Sequence, residues 1–173
     1  VRYSYHSKVG SEWVPQGALI FSLPQNLELR GIISKGFRYP TLREMYLTPQ
    51  QNPDLRPERV WNYELSAKYV APKGLFSAQA NIFLLRGDNR IESVVVDGRP
   101  RWQNSGSIRN WGVECELSAV VKQSLRLNLS YSLLKMERKL LSSPEHKLCA
   151  GVGYHRKHFS VSSSLQYVVG LYT

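Results

Sequence analysis

Glu114 and Glu116 stand two residues apart, a spacing that puts both carboxylates on one face of a strand. Paired carboxylates can do general acid–base work. No third group accompanies them, so lining a wetted surface is the simpler reading. His155 and His158 flank a short turn and lack further metal-ligating neighbours in the sequence. Cys115 and Cys149 have neither metal-ligand spacing nor a CxxC arrangement. Strand parity sets them on opposite faces, which argues against a disulfide between them. Arg86-Gly87-Asp88 spells an adhesion tripeptide and Asn128-Leu129-Ser130 a glycosylation sequon in mid-strand; chance accounts for both. These residues imply no enzyme, no cofactor and no metal site. The densest stretch is 36–58, where Gly36-Phe37-Arg38-Tyr39-Pro40-Thr41-Leu42-Arg43-Glu44-Met45-Tyr46 is followed by Asn52-Pro53-Asp54-Leu55-Arg56-Pro57-Glu58. Pro40 keeps Tyr39 out of helical geometry, and Pro53 and Pro57 hold an extended path with few donors to satisfy. A stiff loop of this kind can carry a binding site, with Phe37, Arg38, Tyr39 and Tyr46 as its candidate ligand contacts.

The elements that must position this loop are strands. Trp61, Tyr63, Leu65, Ala67 and Tyr69 alternate with Asn62, Glu64, Ser66 and Lys68. Phe76 to Leu84, Val113 to Ala119, Leu125 to Leu133, Leu148 to Tyr154, Phe159 to Val169 and Leu27 to Ile33 repeat the pattern. Segments 1–7 and 12–23 follow it less cleanly. About nine strands result, with a single helical candidate at 41–47. Short connections are expected at 24–26, 71–74, 120–123 and 156–157, and longer ones at 36–60, 97–101 and 138–144. Residues 86–90 break parity and read as a bulge or bend. Short turns on one side and longer loops on the other are the layout of a transmembrane β-barrel. Aromatic residues near the strand ends suit its interfacial girdles. A soluble β-sandwich would alternate in the same way, but these strands are long, and their second face is rich in Ser, Asn, Gln, Glu, Lys and Arg.

Composition agrees. No run approaches the ~18 apolar residues of a membrane helix, and a barrel hides its apolar content in every second residue. The net charge is +10, with the basic residues spread along the chain rather than clustered. That distribution argues against a nucleic-acid partner. It suits an anionic ligand or a phosphate-bearing membrane surface. Residues 1–5 read as strand already in progress and 170–173 stop without a terminating signal, so a fragment is expected.

The two boxes of the 36–58 stretch resemble a "GFR-x-P-(S/T)-L-R-E-L-Y … NP-(D/N)-L-(K/R)-PE" pattern of TonB-dependent outer-membrane receptors. Asn104-Ser105-Gly106 and Gly112-Val113-Glu114-Cys115-Glu116 resemble the family's "N-x-G … GVE-x-E" block in the same order. The resemblance covers essentially the whole chain. It implies an all-β fold: antiparallel strands of a 22-stranded barrel in the bacterial outer membrane, of which residues 1–173 would supply about nine. The plug, the TonB box and the first and last strands would lie elsewhere. It also implies energising by the TonB complex, a loop 36–60 outside the cell, and short turns in the periplasm. Outer-membrane lipid and lipopolysaccharide would surround the wall.

Cargo is less determined. Some haem receptors carry related boxes with a histidine between them; here no histidine lies between Pro40 and Asn52. Tyr46 could ligate ferric haem, but it also fills the family's ordinary tyrosine position. The basic balance suits an anionic ferric siderophore or another iron chelate. A haem or cobalamin receptor of the same family, and a passive porin or adhesin barrel, are the alternatives.

Overall fold

The computed structural model describes residues 1–122, 124–139 and 142–171. Among the described residues ten strands are present: β1 (Arg2–His6), β2 (Gly10–Val14), β3 (Gln16–Leu23), β4 (Leu27–Arg38), β5 (Glu58–Val70), β6 (Phe76–Val96), β7 (Arg99–Val121), β8 (Leu125–Met136), β9 (His146–Arg156) and β10 (Phe159–Val169). β1 and β2 form a hairpin, and β3 to β10 form one sheet in sequence order. The expected all-β antiparallel fold is met, with one strand more than expected. Pro15, which cannot donate to a ladder, divides the expected 12–23 strand into β2 and β3.

The loop in front of β5 is shorter than expected, 39–57 rather than 36–60, because β4 continues through Arg38 and β5 starts at Glu58. Its helix is a single turn over Arg43–Leu47. The connection expected at 97–101 is instead a two-residue turn. Asp97 and Gly98 have φ of 52° and 75°, and this Asp-Gly pair matches the type I′ twist that tight hairpins need. β6 and β7 are consequently 21 and 23 residues long. The suspected irregularity at 86–90 leaves β6 unbroken, but Asn89 sits at φ 58°.

Contacts divide the chain into two compact units. The first holds Val1–Gly17, Ile32–Tyr63 and Leu85–Arg109; the second holds Ala18–Gly31, Glu64–Leu84 and Asn110–Thr173. The second unit is a two-faced sheet. Val113, Cys115, Leu117 and Ala119 pair with Leu133, Tyr131, Leu129 and Leu127. Leu127, Leu129 and Tyr131 then pair with Val152, Ala150 and Leu148. Tyr154, Ala150 and Leu148 pair with Val161, Leu165 and Tyr167. The other face pairs Glu114 with Ser132, Glu116 with Ser130 and Ser118 with Asn128. Cys149 falls on that polar face opposite Ser130, away from Cys115, and both cysteines are free. A sandwich would bury the apolar face under a second sheet. Here Leu165 is 68% exposed and Val161 54%, and the buried hydrophobic residues among those described, Met45, Leu55 and Ile91, all belong to the first unit. The apolar face of the second unit therefore calls for lipid, and we read its strands as membrane-spanning. No helix among the described residues is long and apolar enough to cross a membrane.

The turns after β5, β7 and β9 each hold a lysine in the left-handed region: Lys73 at φ 62°, Lys122 at 50° and Lys157 at 47°. That region costs an L-residue roughly 1–2 kcal/mol, so glycine or asparagine is its ordinary occupant. Gly112 is a close approach. A Cβ there would stand 2.5 Å from both the Leu133 carbonyl and the Phe83 ring. Gly112→Ala is expected to destabilise the intact protein by about 1–3 kcal/mol, read as a lower Tm in detergent. Gly153→Ala, with nothing within 4 Å of the added Cβ, should leave Tm in place; equal shifts would refute the packing role.

Candidate functional site: a clamped loop

The site is built where β4 ends and β5 begins. Arg38 Nε donates to Glu58 Oε2 at 2.7 Å and Nη2 to Glu58 Oε1 at 2.9 Å, a bidentate pair across adjacent strands. Nη1 turns to the loop and donates to both carboxylate oxygens of Glu44, at 3.0 and 3.1 Å. Glu58 Oε1 also accepts the Ile91 backbone N–H at 2.7 Å, which ties in β6. One guanidinium thus fastens the loop helix to three strands.

Glu44 is itself held in place. Its Oε2 accepts the backbone N–H and the hydroxyl of Thr41, at 2.7 and 3.0 Å, while Thr41 Oγ1 accepts the Glu44 N–H at 3.2 Å. This is a reciprocal capping box, and it starts the helical turn just after Pro40. The T-x-x-E spacing at 41–44 signals it in the sequence, a signal our reading did not use.

The far half of the loop is latched by side-chain amides. Asn52 Nδ2 donates to the Trp102 carbonyl at 2.8 Å, and its Oδ1 accepts the Asp54 N–H at 3.1 Å, an Asx turn around Pro53. Trp102 answers with its backbone N–H to Gln50 O at 2.8 Å and its indole N–H to Thr48 Oγ1 at 3.2 Å. Asn104 accepts the Arg56 N–H at 2.8 Å, donates to the Arg56 carbonyl at 2.9 Å, and donates to Asn89 O at 2.7 Å. These bonds satisfy backbone that Pro53 and Pro57 prevent from pairing regularly. Beneath them Met45, Leu55 and Ile91 form a small core, with Val9 and Trp102 packed against it.

The β1–β2 hairpin supplies a second clamp, which the sequence did not announce. Glu12 is buried and accepts Lys35 Nζ at 2.9 Å and Arg59 Nε at 2.8 Å. Strand alternation puts Lys35 and Arg59 on one face of β4 and β5, and Arg38 and Glu58 on the other. The loop and the hairpin therefore grip opposite faces of the same ribbon. Tyr39 reinforces the hairpin contact, its hydroxyl lying 3.1 Å from Ser4 O and 3.3 Å from Gly10 O.

The residues marked in the sequence accordingly fall into groups. Arg38, Glu44, Asn52, Glu58 and Asn104 make the bonds above, and Pro40, Leu55 and Pro57 are buried. Pro53 and Asp54 lie exposed on the Asx turn. Gly36 and Gly106 are close approaches, a Cβ meeting Val60 at 3.1 Å and Arg90 and Glu92 at 2.8 Å. Phe37 packs edge-on against Tyr39 at 4.8 Å, with the Arg2 guanidinium 5.5 Å from its ring centre. Leu42 and Tyr46 are exposed on the loop helix. Gly112, Glu114 and Glu116 belong to the second unit. There Glu114 accepts a hydrogen bond from Asn81 Nδ2 at 3.3 Å, and Glu116 lines a mixed groove with Gln79, Leu117, Asn128 and Leu129. Among the described residues no three His, Cys, Asp or Glu side chains gather as a metal site.

The clamps set the charge states. Partial burial raises the Glu44 and Glu58 carboxyls, but the hydrogen bonds from Arg38, with Thr41 and Ile91, outweigh it and hold both below the ordinary 4.5. The hydrogen bond from Arg59 holds Glu12 down as well, against its burial. A carboxylate lowered on folding contributes stability above its unfolded value and loses it as pH falls through the folded one. The loop should therefore stay clamped from neutral pH down to about 4.5 and loosen in stronger acid. A spin label at Leu42→Cys, in a background without Cys115 and Cys149, reads this as a rise in mobility below that pH; unchanged mobility down to about pH 2 would rule it out.

A lipid-facing antiparallel sheet with short turns in one unit, and a proline-stiffened loop clamped to its strands in the other, are the parts of a β-barrel wall. The model of the TonB dependent receptor-like β-barrel family matches residues 1–172, and the chain belongs to that family. The iron-regulated outer membrane virulence protein of Vibrio cholerae is 28% identical over 185 residues, an alignment covering 88% of this chain and 28% of that protein. The chain thus spans just over a quarter of the length of this curated relative. The ferric enterobactin receptor PfeA of Pseudomonas aeruginosa, solved with enterobactin, superposes with a TM-score of 0.81 at 17% identity, over 96% of this chain and 29% of that one. The siderophore receptor PirA of the same organism gives 0.74 at 17% identity, over 94% and 35%. The copper transporter OprC also gives 0.74 at 17% identity, over 91% and 26%. At such identities the likeness is one of fold. The chain is an outer-membrane barrel segment, and its family is one of receptors.

Proposed function

We propose that this chain is part of the barrel wall of a TonB-dependent receptor that imports a ferric siderophore or a similar iron chelate. The observation that carries the reading is the family match over nearly the whole chain, joined to a relative named for iron regulation. The remainder of a 22-stranded barrel, a plug and the segment that meets the TonB complex would come from other parts of the protein. In this reading residues 39–57 form an external loop whose two sequence boxes serve chiefly to hold it on the wall. Every guanidinium nitrogen of Arg38 is engaged, so its task is positioning. The exposed ring of Tyr46 is the part of the loop that cargo would meet, whereas Phe37 lies near the end of β4 on the face that the hairpin covers.

A strain lacking the gene, supplied with single iron sources, tests this. Growth on at least one ferric siderophore should fail and return with the intact gene. Unimpaired growth on every iron chelate, haem included, would remove the iron reading while leaving the fold untouched.

A further inference from the structure

The four short turns of the second unit are unlike one another in charge. Beside the turn at 24–26, Glu28 pairs with Arg30 at 3.3 Å. The other three turns bear only cations. Lys68 and Lys73 flank or tip the turn after β5, Lys122 and Arg126 the turn after β7, and Arg156 and Lys157 the turn after β9. His155 and His158 stand beside the last pair. The sequence has no acidic residue between Glu64 and Asp88, between Glu116 and Glu137, or after Glu145. All six basic side chains are exposed, and none forms an ion pair among the described residues.

These turns are neighbours. Val120 N–H donates to Leu75 O at 2.8 Å and His155 N–H to Ser124 O at 2.8 Å, lacing each hairpin end to the next. Each turn also places its lysine at the left-handed position, where glycine or asparagine would sit without strain. Lys73 follows Pro72 in the longest of the three turns, while Lys122 and Lys157 open the shorter ones; what the three share is the same cation in a strained position, and the charge is what that choice adds. The residues next to them complete the picture. Tyr69, Phe76, Tyr154 and Phe159 lie on the apolar face within four residues of Lys73 or Lys157. Aromatic rings at the lipid boundary, with long basic side chains just beyond, match the depth profile of a membrane interface and its phosphates.

We propose that Lys73, Lys122 and Lys157 form a docking rim for the phosphate groups of anionic phospholipid in the periplasmic leaflet. The proposal rests on the receptor reading, which turns the short hairpins toward the periplasm. The full-length receptor, reconstituted in phosphatidylethanolamine vesicles, would be probed with spin-labelled phosphatidylglycerol and spin-labelled phosphatidylcholine. The motionally restricted fraction should favour phosphatidylglycerol roughly fivefold at low salt, the factor expected where one lysine meets one lipid phosphate. High salt should erase the preference. A Lys73→Gly/Lys122→Gly/Lys157→Gly variant should lose the preference while its Tm holds or rises, because glycine relieves the left-handed strain. The matching Lys→Arg variant should keep it.

No preference in the wild type, or a preference that survives in the glycine variant, overturns the proposal. Equal lipid binding by both proteins, with uptake lost only in the variant, would assign the lysines to an acidic periplasmic protein and likewise overturn it. Orientation is read separately, by an impermeant thiol reagent on Lys157→Cys in cells. Labelling only after the outer membrane is opened supports the periplasmic leaflet. Labelling of intact cells overturns both the leaflet and the assumed topology, whereas loss of the iron phenotype alone touches neither.

Discussion

Leu55→Ala in the full-length receptor is expected to loosen residues 39–57 by about 2–5 kcal/mol, the usual range for deleting a buried leucine side chain. Leu55 is 2% exposed and packs with Met45, itself 2% exposed, and with Ile91. Val9 and Trp102 close over this cluster, so one cavity would weaken contacts from the hairpin, the loop, β6 and β7 together. The whole protein need not unfold, because these contacts lie in the first unit and the ladders of β8 to β10 do not include them. Hydrogen exchange should show faster exchange in 39–57 with little change in β8 to β10. Leu42→Ala is the matched control. Leu42 occupies an equally marked position in the loop but is 66% exposed, and its loss should fall within about 0.5 kcal/mol of zero. If both variants exchange alike, the small core does not hold the loop.

The second large effect belongs to the sheet. Leu129→Lys should destabilise the intact receptor by about 2–4 kcal/mol, the penalty for a lysine facing lipid near the midplane of a barrel. Leu129 pairs with Leu117 on one side and Ala150 on the other, in an unbroken apolar row. Asn128→Lys, one residue before, points to the opposite face, where Asn128 accepts a hydrogen bond from Ser118 at 2.9 Å. It should be much milder, because a lysine there stays in a polar setting. Denaturant unfolding in detergent or lipid compares the two directly. Equal losses would mean that the two faces are assigned wrongly.

The second prediction depends on strand facing, which was legible in the sequence for a simple reason. A strand repeats every two residues, so Leu125 to Leu133 or Phe159 to Val169 declare which side meets an apolar phase before any partner is known. The ordered boxes added the family in the same way, since they are contiguous strings. Tight turns are local as well, and the Asp97-Gly98 pair could have been read as one; the irregular parity around 86–90 obscured how far β6 and β7 extend.

What the sequence could not declare is which residues meet across long separations. Glu12 lies 23 residues from Lys35 and 47 from Arg59, and Asn104 lies 48 from Arg56. Nothing in their local spacing marks these pairs. Loop residues have no repeat to betray their facing, so Leu42 and Leu55 look alike in the string and differ entirely in burial. Arg38 shows the same limit for chemistry. As a letter in a box it is an exposed cation suited to an anionic ligand; only the fold brings Glu44 and Glu58 to it and turns it into a clamp. By itself the sequence determined the strands, their two faces and the family, because each rests on short-range periodicity or contiguous motif. The tertiary structure decided what the loop residues do, because their partners arrive from other strands through chain closure that no local pattern records.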